Sequence, residues 1–265
     1  MKRVKLVVAY DGTNYCGWQV QPNGITIEGV LNRELSKLLK EDIVVIGASR
    51  TDSGVHSYGN VAVFDTNARM PAEKISYALN QRLPDDIVVQ NSSEIPLDWH
   101  PRHCNSRKTY EYRILNREFP MPQRRLDTWF VYRKLNIPAM CEAAEQFEGT
   151  HDFKSFCSVN TAVEDTIRTI YSCELKQDGE LLTIRITGSG FLYNMVRIIT
   201  GTLLEVGKGA MAAEDIPQIL AAKDRTKAGP TARAKGLTLV CIRYPDEEKK
   251  GETEQKTVDT PGSVL

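Results

Sequence analysis

The chain has 265 residues, of which 41% are hydrophobic and 26% are charged, so it can bury one large core or two smaller ones. It contains no run of about 18 apolar residues, which excludes a typical membrane-spanning helix, and its six scattered cysteines, with no Cys-x-x-Cys pair and no export signal, predict reduced thiols and a cytoplasmic location. The formal net charge of +0 excludes a strongly basic protein, so any contact with nucleic acid must come from a local cluster of basic residues.

The first part of the chain alternates strand and helix patterns. Apolar residues 4–9 end in an Asp-Gly turn, and Thr26 caps a helix whose apolar residues recur at helical spacing up to residue 39. Short β-branched runs at 43–46 and 61–64 predict two strands, Pro71 opens a second helix, and residues 87–89 predict a closing strand. This order of strand, helix, strand, strand, helix and strand is that of a ferredoxin-like (RRM-like) unit.

The second part has the same mixed rhythm without a clear sequence repeat. Its patterns predict strands at 110–114 and 128–132, a hairpin of 167–175 and 181–187, helices at 137–147, 192–206 and 215–222, and a last strand at 237–242. The predicted fold class is α+β, with ferredoxin-like halves at 1–100 and 101–245 and mainly antiparallel sheets. Residues 246–265 lack apolar periodicity, which predicts a disordered acidic tail.

A polar decapeptide, residues 48–57, separates the runs at 43–46 and 61–64 and carries more chemistry than a hairpin turn needs. Arg50 and Asp52 are two residues apart, so an extended backbone would place both side chains on one face, where the guanidinium would lower the pKa of the carboxyl group. An ionised and oriented carboxylate is what nucleophilic attack by Asp requires. The alternative is a surface loop with a structural ion pair, because such pairs also perturb pKa values.

Basic residues are concentrated in two segments. Nine basic residues stand against three acidic ones between residues 102 and 134, and a second group lies between 223 and 235. Such clusters are often solvated faces, but they are also the pattern expected for contacts to RNA phosphates. The candidates for these contacts are Arg102, Arg107 and Lys108.

Other chemical motifs are weaker. The His-x-x-His-Cys segment at 100–104 has no second ligand pair elsewhere in the chain, so no metal site is predicted. The Gly-x-Gly at 188–190 lacks the third glycine and the Lys-Ser/Thr pair of a phosphate loop, so no nucleotide cofactor is predicted. Arg197 lies on a strongly apolar predicted helix and needs a partner, and our hypothesis is that it meets a carboxylate near a cleft, with Asp52 the most attractive candidate.

Six segments of the chain, in order, resemble signatures of the TruA-type tRNA pseudouridine synthases. They include Arg-Thr-Asp-x-Gly-Val-His at 50–56 and Tyr-Asp-Gly-Thr-Asn-Tyr-Cys-Gly-Trp-Gln at 10–19, and the other segments lie at 108–114, 149–153, 190–197 and 234–237. The chain departs from the family at Ser49, where Gly is usual, and at Ser57, where Ala is frequent. Both changes exchange one small residue for another, so we expect a slightly shifted loop rather than a lost site.

The resemblance implies two related α+β halves whose sheets join, with an active cleft between them. It implies isomerisation of uridine to pseudouridine in the tRNA anticodon stem-loop, at tRNA positions 38–40, with Asp52 as the nucleophile. Arg50 would orient Asp52 and hold the flipped nucleotide, Tyr110 would stack on the target base, and Leu237 would lie beneath it. The predicted substrate-binding residues are therefore Arg50, Tyr110, Arg197 and Leu237.

The implied reaction breaks the N1–C1′ bond and rejoins the base through C5, with no redox step and no group donor, so no cofactor is expected. The resemblance also implies a homodimer in which both subunits touch one tRNA. A non-catalytic RNA-binding module is the first alternative, and it leaves a carboxylate in the RNA cleft unexplained. A glycoside hydrolase is the second, but that chemistry usually uses two facing carboxylates and only one is evident.

Overall fold

The computed structural model describes residues 1–159 and 164–245. The predicted disordered tail, residues 246–265, lies outside the described residues. Within the described part of the chain, no helix combines the length and apolar character needed to cross a bilayer.

The described chain forms ten strands and five α-helices. The elements before residue 100 are β1 (Lys2–Tyr10), α1 (Ile27–Leu39), β2 (Ile46–Gly47), β3 (His56–Thr66), α2 (Ala72–Asn80) and β4 (Ile87–Ile95). The elements after residue 100 are β5 (Arg107–Asn116), β6 (Trp129–Val131), α3 (Ile137–Glu145), β7 (Gly149–Asp152), β8 (Ile167–Asp178), β9 (Leu181–Gly188), α4 (Met195–Gly207), α5 (Ile216–Ala222) and β10 (Leu237–Arg243).

The ten strands form one continuous sheet with the order β4-β1-β3-β10-β5-β9-β8-β7, to which β2 adds on β3 and β6 on β5. Most neighbouring strands are antiparallel, and the α+β fold class is confirmed. The last strand, β10, joins the two groups of strands: it pairs in parallel with β3 through Thr238 opposite His56 and Leu239 opposite Ser57, and antiparallel with β5. The implied joining of two sheets is therefore realised through β10.

Two hydrophobic clusters lie against this sheet. The first packs α1 and α2 on β1, β3 and β4 through residues such as Leu6, Leu31 and Ile75. The second packs α3 and α4 against β5, β8 and β9 through residues such as Tyr112 and Leu203. Since Ala48, Val55 and Val61 belong to the second cluster, the boundary at residue 100 does not coincide with the division of the core, and the two-domain division stays a prediction.

One sequence prediction about elements is wrong, and one strand has no predicted counterpart. Residues 43–46 do not form a strand, since only Ile46 joins β2, because the backbone N–H groups of Ile43 and Val45 donate at 2.9 Å to the side chains of Ser36 and Asn32 on α1. The structure also contains β7, which has no apolar alternation and was not predicted.

Helix α1 begins as predicted, since the Thr26 hydroxyl accepts from the Gly29 N–H at 3.2 Å. Helix α4 begins at Met195 rather than at residue 192, because Asn194 has a left-handed backbone with φ 61°. The helix start lies beside the site described next.

Candidate active site

A pocket of about 480 Å³ opens where the two groups of strands meet. One wall is the loop of residues 48–55 between β2 and β3, called the Asp52 loop here. The opposite wall is the start of α4, and β5 and β10 close the pocket through Tyr110 and Leu237. Distant parts of the sequence therefore meet at one pocket, and the predicted residues Arg50, Asp52, Arg102, Lys108, Tyr110, Arg197 and Leu237 all line it.

Asp52 forms an ion pair with Arg197 at this pocket. The Arg197 Nη1 donates to Asp52 Oδ2 at 3.0 Å, and the side chains are only 22% and 18% exposed. Arg197 is itself fixed, because its Nε donates to the Ala232 carbonyl at 2.8 Å and its Nη1 to Asn194 Oδ1 at 2.7 Å. The hypothesis that Arg197 meets Asp52 is confirmed, and the cation has one orientation set by three acceptors.

The predicted pairing of Arg50 with Asp52 is wrong. Arg50 is exposed and has no ion pair or side-chain hydrogen bond among the residues that the structure describes. Asp52 opens a turn, in which the Val55 N–H donates to the Asp52 carbonyl at 3.1 Å, so the alternation of an extended strand does not apply. The Asp52 carboxylate consequently lies against α4 rather than beside the neighbouring guanidinium.

The electrostatics of Asp52 also differ from the expectation. Burial raises the pKa of the Asp52 carboxyl group, and the hydrogen bond and charge of Arg197 counteract this without cancelling it. The predicted lowering of the pKa is therefore wrong in sign. Arg197 is the cation that favours the ionised form in a site where desolvation disfavours it.

The Asp52 loop rests on the loop between β1 and α1, which contains the motif at 10–19. The Trp18 N–H donates to the Thr51 carbonyl at 3.0 Å, and the Tyr10 and Thr51 hydroxyls are 2.7 Å apart. Gly12 packs so closely beneath the loop that a Cβ atom there would lie 2.0 Å from the Val55 carbonyl oxygen. The first motif thus supports the Asp52 loop, a function that its sequence does not reveal.

Tyr110 forms a side of the pocket and is only 7% exposed. Its hydroxyl is 2.8 Å from Ser49 Oγ, and its ring packs edge-on against Phe191 with centroids 5.2 Å apart. Burial raises the pKa of Tyr110 to about 12, so the hydroxyl stays neutral near pH 7. Ser49, one of the two departures from the family signature, therefore supplies a hydrogen-bond partner for Tyr110.

The three candidate phosphate contacts have different environments. Arg102 and Arg107 are exposed, and the Arg107 guanidinium lies 4.8 Å from the centroid of the Tyr171 ring. Lys108 is partly buried, with its Nζ donating to the Ala48 carbonyl at 2.9 Å. Burial, with like charges nearby, lowers the pKa of Lys108 to about 8. Lys108 thus belongs to the pocket wall rather than to an outer basic surface.

Two of the residues that line the pocket, Tyr193 and Arg168, carry polar groups for which the sequence predicted no role. Tyr193, which is 51% exposed, lines the pocket next to the Arg197 helix, and Arg168 lines it from the start of β8. Tyr193 lies within the signature segment at 190–197, although no role was predicted for its own side chain. Arg168 belongs to no pattern that carries chemistry, because it reaches the site only through the packing of the sheet.

The two histidines of the segment at 100–104 stack on each other. The rings of His100 and His103 stack with centroids 3.9 Å apart, and no group of three or more metal-ligating side chains is found among residues 1–159 and 164–245.

Comparison with known proteins gives a consistent result across the chain. A family model described as tRNA pseudouridine synthase matches residues 6–103 and 143–245. A protein of Acetivibrio thermocellus named tRNA pseudouridine synthase A is 47% identical over 92% of this chain and 100% of its own length. Proteins with the same name from Geobacillus kaustophilus and Citrifermentans bemidjiense are 47% and 46% identical over 93% of this chain and 96% and 99% of their own lengths.

Similarity to solved structures is weaker. A chain from a crystal structure of a Cbf5-Nop10-Gar1 complex aligns with a TM-score of 0.32 and 17% identity, over 76% of this chain and 45% of that chain. A likeness of this size carries no argument about the site.

Proposed function

The chain belongs to the tRNA pseudouridine synthase family, and from this we propose that Asp52 is the nucleophile with which it isomerises uridines of the tRNA anticodon stem-loop, at tRNA positions 38–40. The chain is an enzyme of the isomerase class, and its substrate is tRNA. The observation that carries the assignment of Asp52 is its ion pair with Arg197 at 3.0 Å in the pocket between the two groups of strands. An acid in that position can reach a nucleotide that has left its helix.

The proposed reaction uses one carboxylate and no added reactant. The N1–C1′ bond breaks, the uracil rotates, C5 bonds to C1′, and the proton on C5 leaves while N1 gains one, so the product has the composition of the substrate. Asp52 can either attack C1′ or remove a proton at C2′, and both routes need the ionised form. Arg197 supports both, because its charge opposes the rise in the Asp52 pKa that burial causes.

The walls of the pocket fit an extruded uridine. Tyr110 provides an aromatic ring, the group on which unstacked RNA bases typically stack, and Leu237 provides an apolar side chain in the same pocket. Extrusion costs a few kcal/mol, which stacking in the pocket offsets. Arg50, exposed at the mouth of the pocket, is proposed to hold the flipped nucleotide rather than to orient Asp52.

Substitutions of Tyr110 test the stacking. Tyr110→Leu is expected to lower kcat/KM on an unmodified tRNA transcript roughly 5- to 150-fold, because stacking on a base contributes about 1–3 kcal/mol. Tyr110→Phe keeps the ring and loses only the contact with Ser49, so its loss should be several-fold at most. Rates of pseudouridine formation measure both. Equal activity of wild type and Tyr110→Leu would contradict a stacking role.

Gly12→Ala tests the support of the Asp52 loop. The new Cβ would meet the Val55 carbonyl oxygen, so the loop must move, and a displacement of about 1 Å at a reacting group can reduce the rate about 100-fold. Gly29→Ala in α1 is the control, since its new Cβ would meet a side-chain atom, Thr26 Oγ1 at 3.0 Å, which needs to move by only a few tenths of an ångström, and no backbone. We expect Gly12→Ala to lose turnover while its circular dichroism spectrum still resembles that of the wild type, and Gly29→Ala to keep both its turnover and its spectrum. Wild-type turnover of Gly12→Ala would show that the loop does not depend on this close packing.

The choice of uridines is tested directly on tRNA. Transcripts that carry uridine at only one of positions 38, 39 and 40 are incubated with the protein, and pseudouridine is mapped at each position. Modification confined to these positions supports the proposal. Modification elsewhere, for example in the D or T arm, would replace it with another site of action of the same family.

The glycoside hydrolase alternative has little support from the pocket. Among the described residues that line it, Asp52 is the only one with a carboxylate, whereas hydrolysis of a glycosidic bond usually uses a pair. Isomerisation leaves the mass of the RNA unchanged, and hydrolysis would release free uracil. Mass spectrometry of the reaction therefore separates the two.

The proposal extends to the assembly and its location. A homodimer would offer the wide surface that a folded stem-loop and distant tRNA contacts require, with Arg102, Arg107 and Lys108 contacting phosphates. A cytoplasmic location is supported by the described cysteines, which the structure shows without disulfides. Sedimentation of the protein with and without tRNA tests the dimer.

A further inference from the structure

The pocket that holds Asp52 continues into a second groove along β5 and β8. Five residues line both of them: Ala48, Arg102, Lys108, Arg168 and Phe191. Three of the five are cations, and among the described residues that line the second groove none is acidic. The junction of the pocket and the groove is therefore strongly positive on both sides.

The sheet brings two of these cations together across three strands. Lys108 on β5 lies opposite Gly188 on β9, and Gly188 lies opposite Ile170 on β8, two residues from Arg168. Since both side chains line the same walls, residues 60 positions apart contribute to one cluster. Arg102 joins it from the segment that precedes β5.

Protein groups neutralise these three cations only in part. Lys108 Nζ donates to a neutral carbonyl, that of Ala48. Arg168 Nη1 donates to the carbonyls of Asp165 and Ile167 at 3.1 and 2.5 Å, and its one carboxylate neighbour, Asp165, is 3.7 Å away and 75% exposed. The Arg102 side chain has no ion pair or hydrogen bond within the described part of the chain. Mutual repulsion is visible at Lys108, whose pKa falls through burial and then through the charges of Arg102 and Arg168.

We infer that Arg102, Lys108 and Arg168 form an anion subsite that binds the RNA phosphodiester next to the uridine held at Asp52. The inference rests on the proposed function for the identity of the bound nucleotide. A phosphodiester fits because its non-bridging oxygens can accept from a forked guanidinium and a lysine together. Since the subsite shares its wall with the pocket, filling it would fix the position of the ribose relative to the Asp52 carboxylate.

The experiment combines a protein change with a chemical change in the RNA. Binding of anticodon stem-loop RNAs, each with one neutral methylphosphonate near the target uridine, is measured for Asp52→Asn and for Asp52→Asn combined with Lys108→Met or Arg168→Met. One methylphosphonate should weaken binding to the parent about tenfold and have almost no further effect on the combined variants. If every linkage costs the combined variants as much as the parent, the subsite is refuted.

The controls separate this result from other causes. Arg117→Met removes an arginine of similar exposure, 28% against 22%, that pairs with an exposed acid beyond the opposite end of β5, and it should keep the full methylphosphonate effect. Lys108→Arg keeps the charge and should behave like the parent, which excludes misfolding as the cause. Competition by millimolar inorganic phosphate without any linkage effect would indicate a site for free phosphate and overturn the RNA assignment.

The outcome does not depend on the reaction. Binding is read in the Asp52→Asn background, so a wrong nucleophile or a wrong uridine position leaves the linkage effect measurable on whichever RNA binds. A failed proposed function would show instead as absent pseudouridine with the wild-type protein.

Discussion

Asp52→Asn should lower the rate of pseudouridine formation roughly 10⁴-fold or more, while the affinity for tRNA stays equal or increases. The amide has the shape of the carboxylate but cannot attack C1′ or take a proton from C2′, and loss of a nucleophile typically costs this much. Affinity should not fall, because a negative charge in the cleft repels phosphate. A non-catalytic RNA-binding module would show the same affinity change with no activity to lose.

The stability of Asp52→Asn follows from the pKa of the group. Burial raises the pKa of Asp52 in the folded protein, so the ionised form lowers stability at every pH above the ordinary carboxyl range. Removal of the charge should therefore leave the melting temperature at pH 7 unchanged or higher, although Arg197 then donates to a neutral amide oxygen in place of a carboxylate. Single-turnover rates and tRNA binding on the same preparation give the test. Turnover within tenfold of wild type would exclude Asp52 as the nucleophile.

Arg197→Met should lower the rate at pH 7 about 100-fold and move the acidic limb of the pH–rate profile to higher pH. Arg197 is the cation that counteracts the effect of burial on Asp52, and without it the Asp52 pKa rises further. A smaller fraction of the enzyme then has the ionised carboxylate at neutral pH, and part of the lost rate should return as the pH increases.

Arg197→Lys is the matched variant, because it keeps the positive charge and changes the hydrogen-bonding geometry. It keeps a cation near Asp52 but cannot reproduce the hydrogen bonds to Ala232, Asn194 and Asp52 together. Its rate should lie between those of wild type and Arg197→Met, with a smaller shift of the acidic limb. An unchanged profile in Arg197→Met would show that this residue has only a structural role.

Local patterns in the sequence were sufficient for most of the fold. Helices α1 and α4 have strong apolar periodicity, the β8–β9 hairpin turns at Gly179-Glu180, one residue beyond the Asp-Gly pair, and these elements lie within a few residues of their predicted bounds. The strand predicted at 43–46 is wrong because a short apolar segment can bury its side chains without pairing with another strand, once side chains of a neighbouring helix accept from its N–H groups. Strand β7 was not predicted because a polar strand at the end of the sheet has no apolar periodicity in its sequence.

The part of the site that could be predicted is the one where a charged residue lies in an apolar segment. An arginine on an apolar helix required an acid, and the acid is Asp52. The pairing with Arg50 relied on an extended backbone, and the turn at residues 52–55 removed that basis. Arg168 could not be found, because it approaches Lys108 only through the register of β5, β9 and β8, and no local pattern encodes that register.

The central position of β10 determines when the protein can become active during synthesis. Because the ribosome makes residues 237–243 after all the other described strands, the nascent chain holds β3 and β5 as two open edges for most of its elongation. Asp52 and Arg197 lie on opposite sides of that gap, so we expect catalysis to begin only when the final strand inserts. A chain interrupted before residue 237 would carry every proposed catalytic side chain and still lack the strand that joins them.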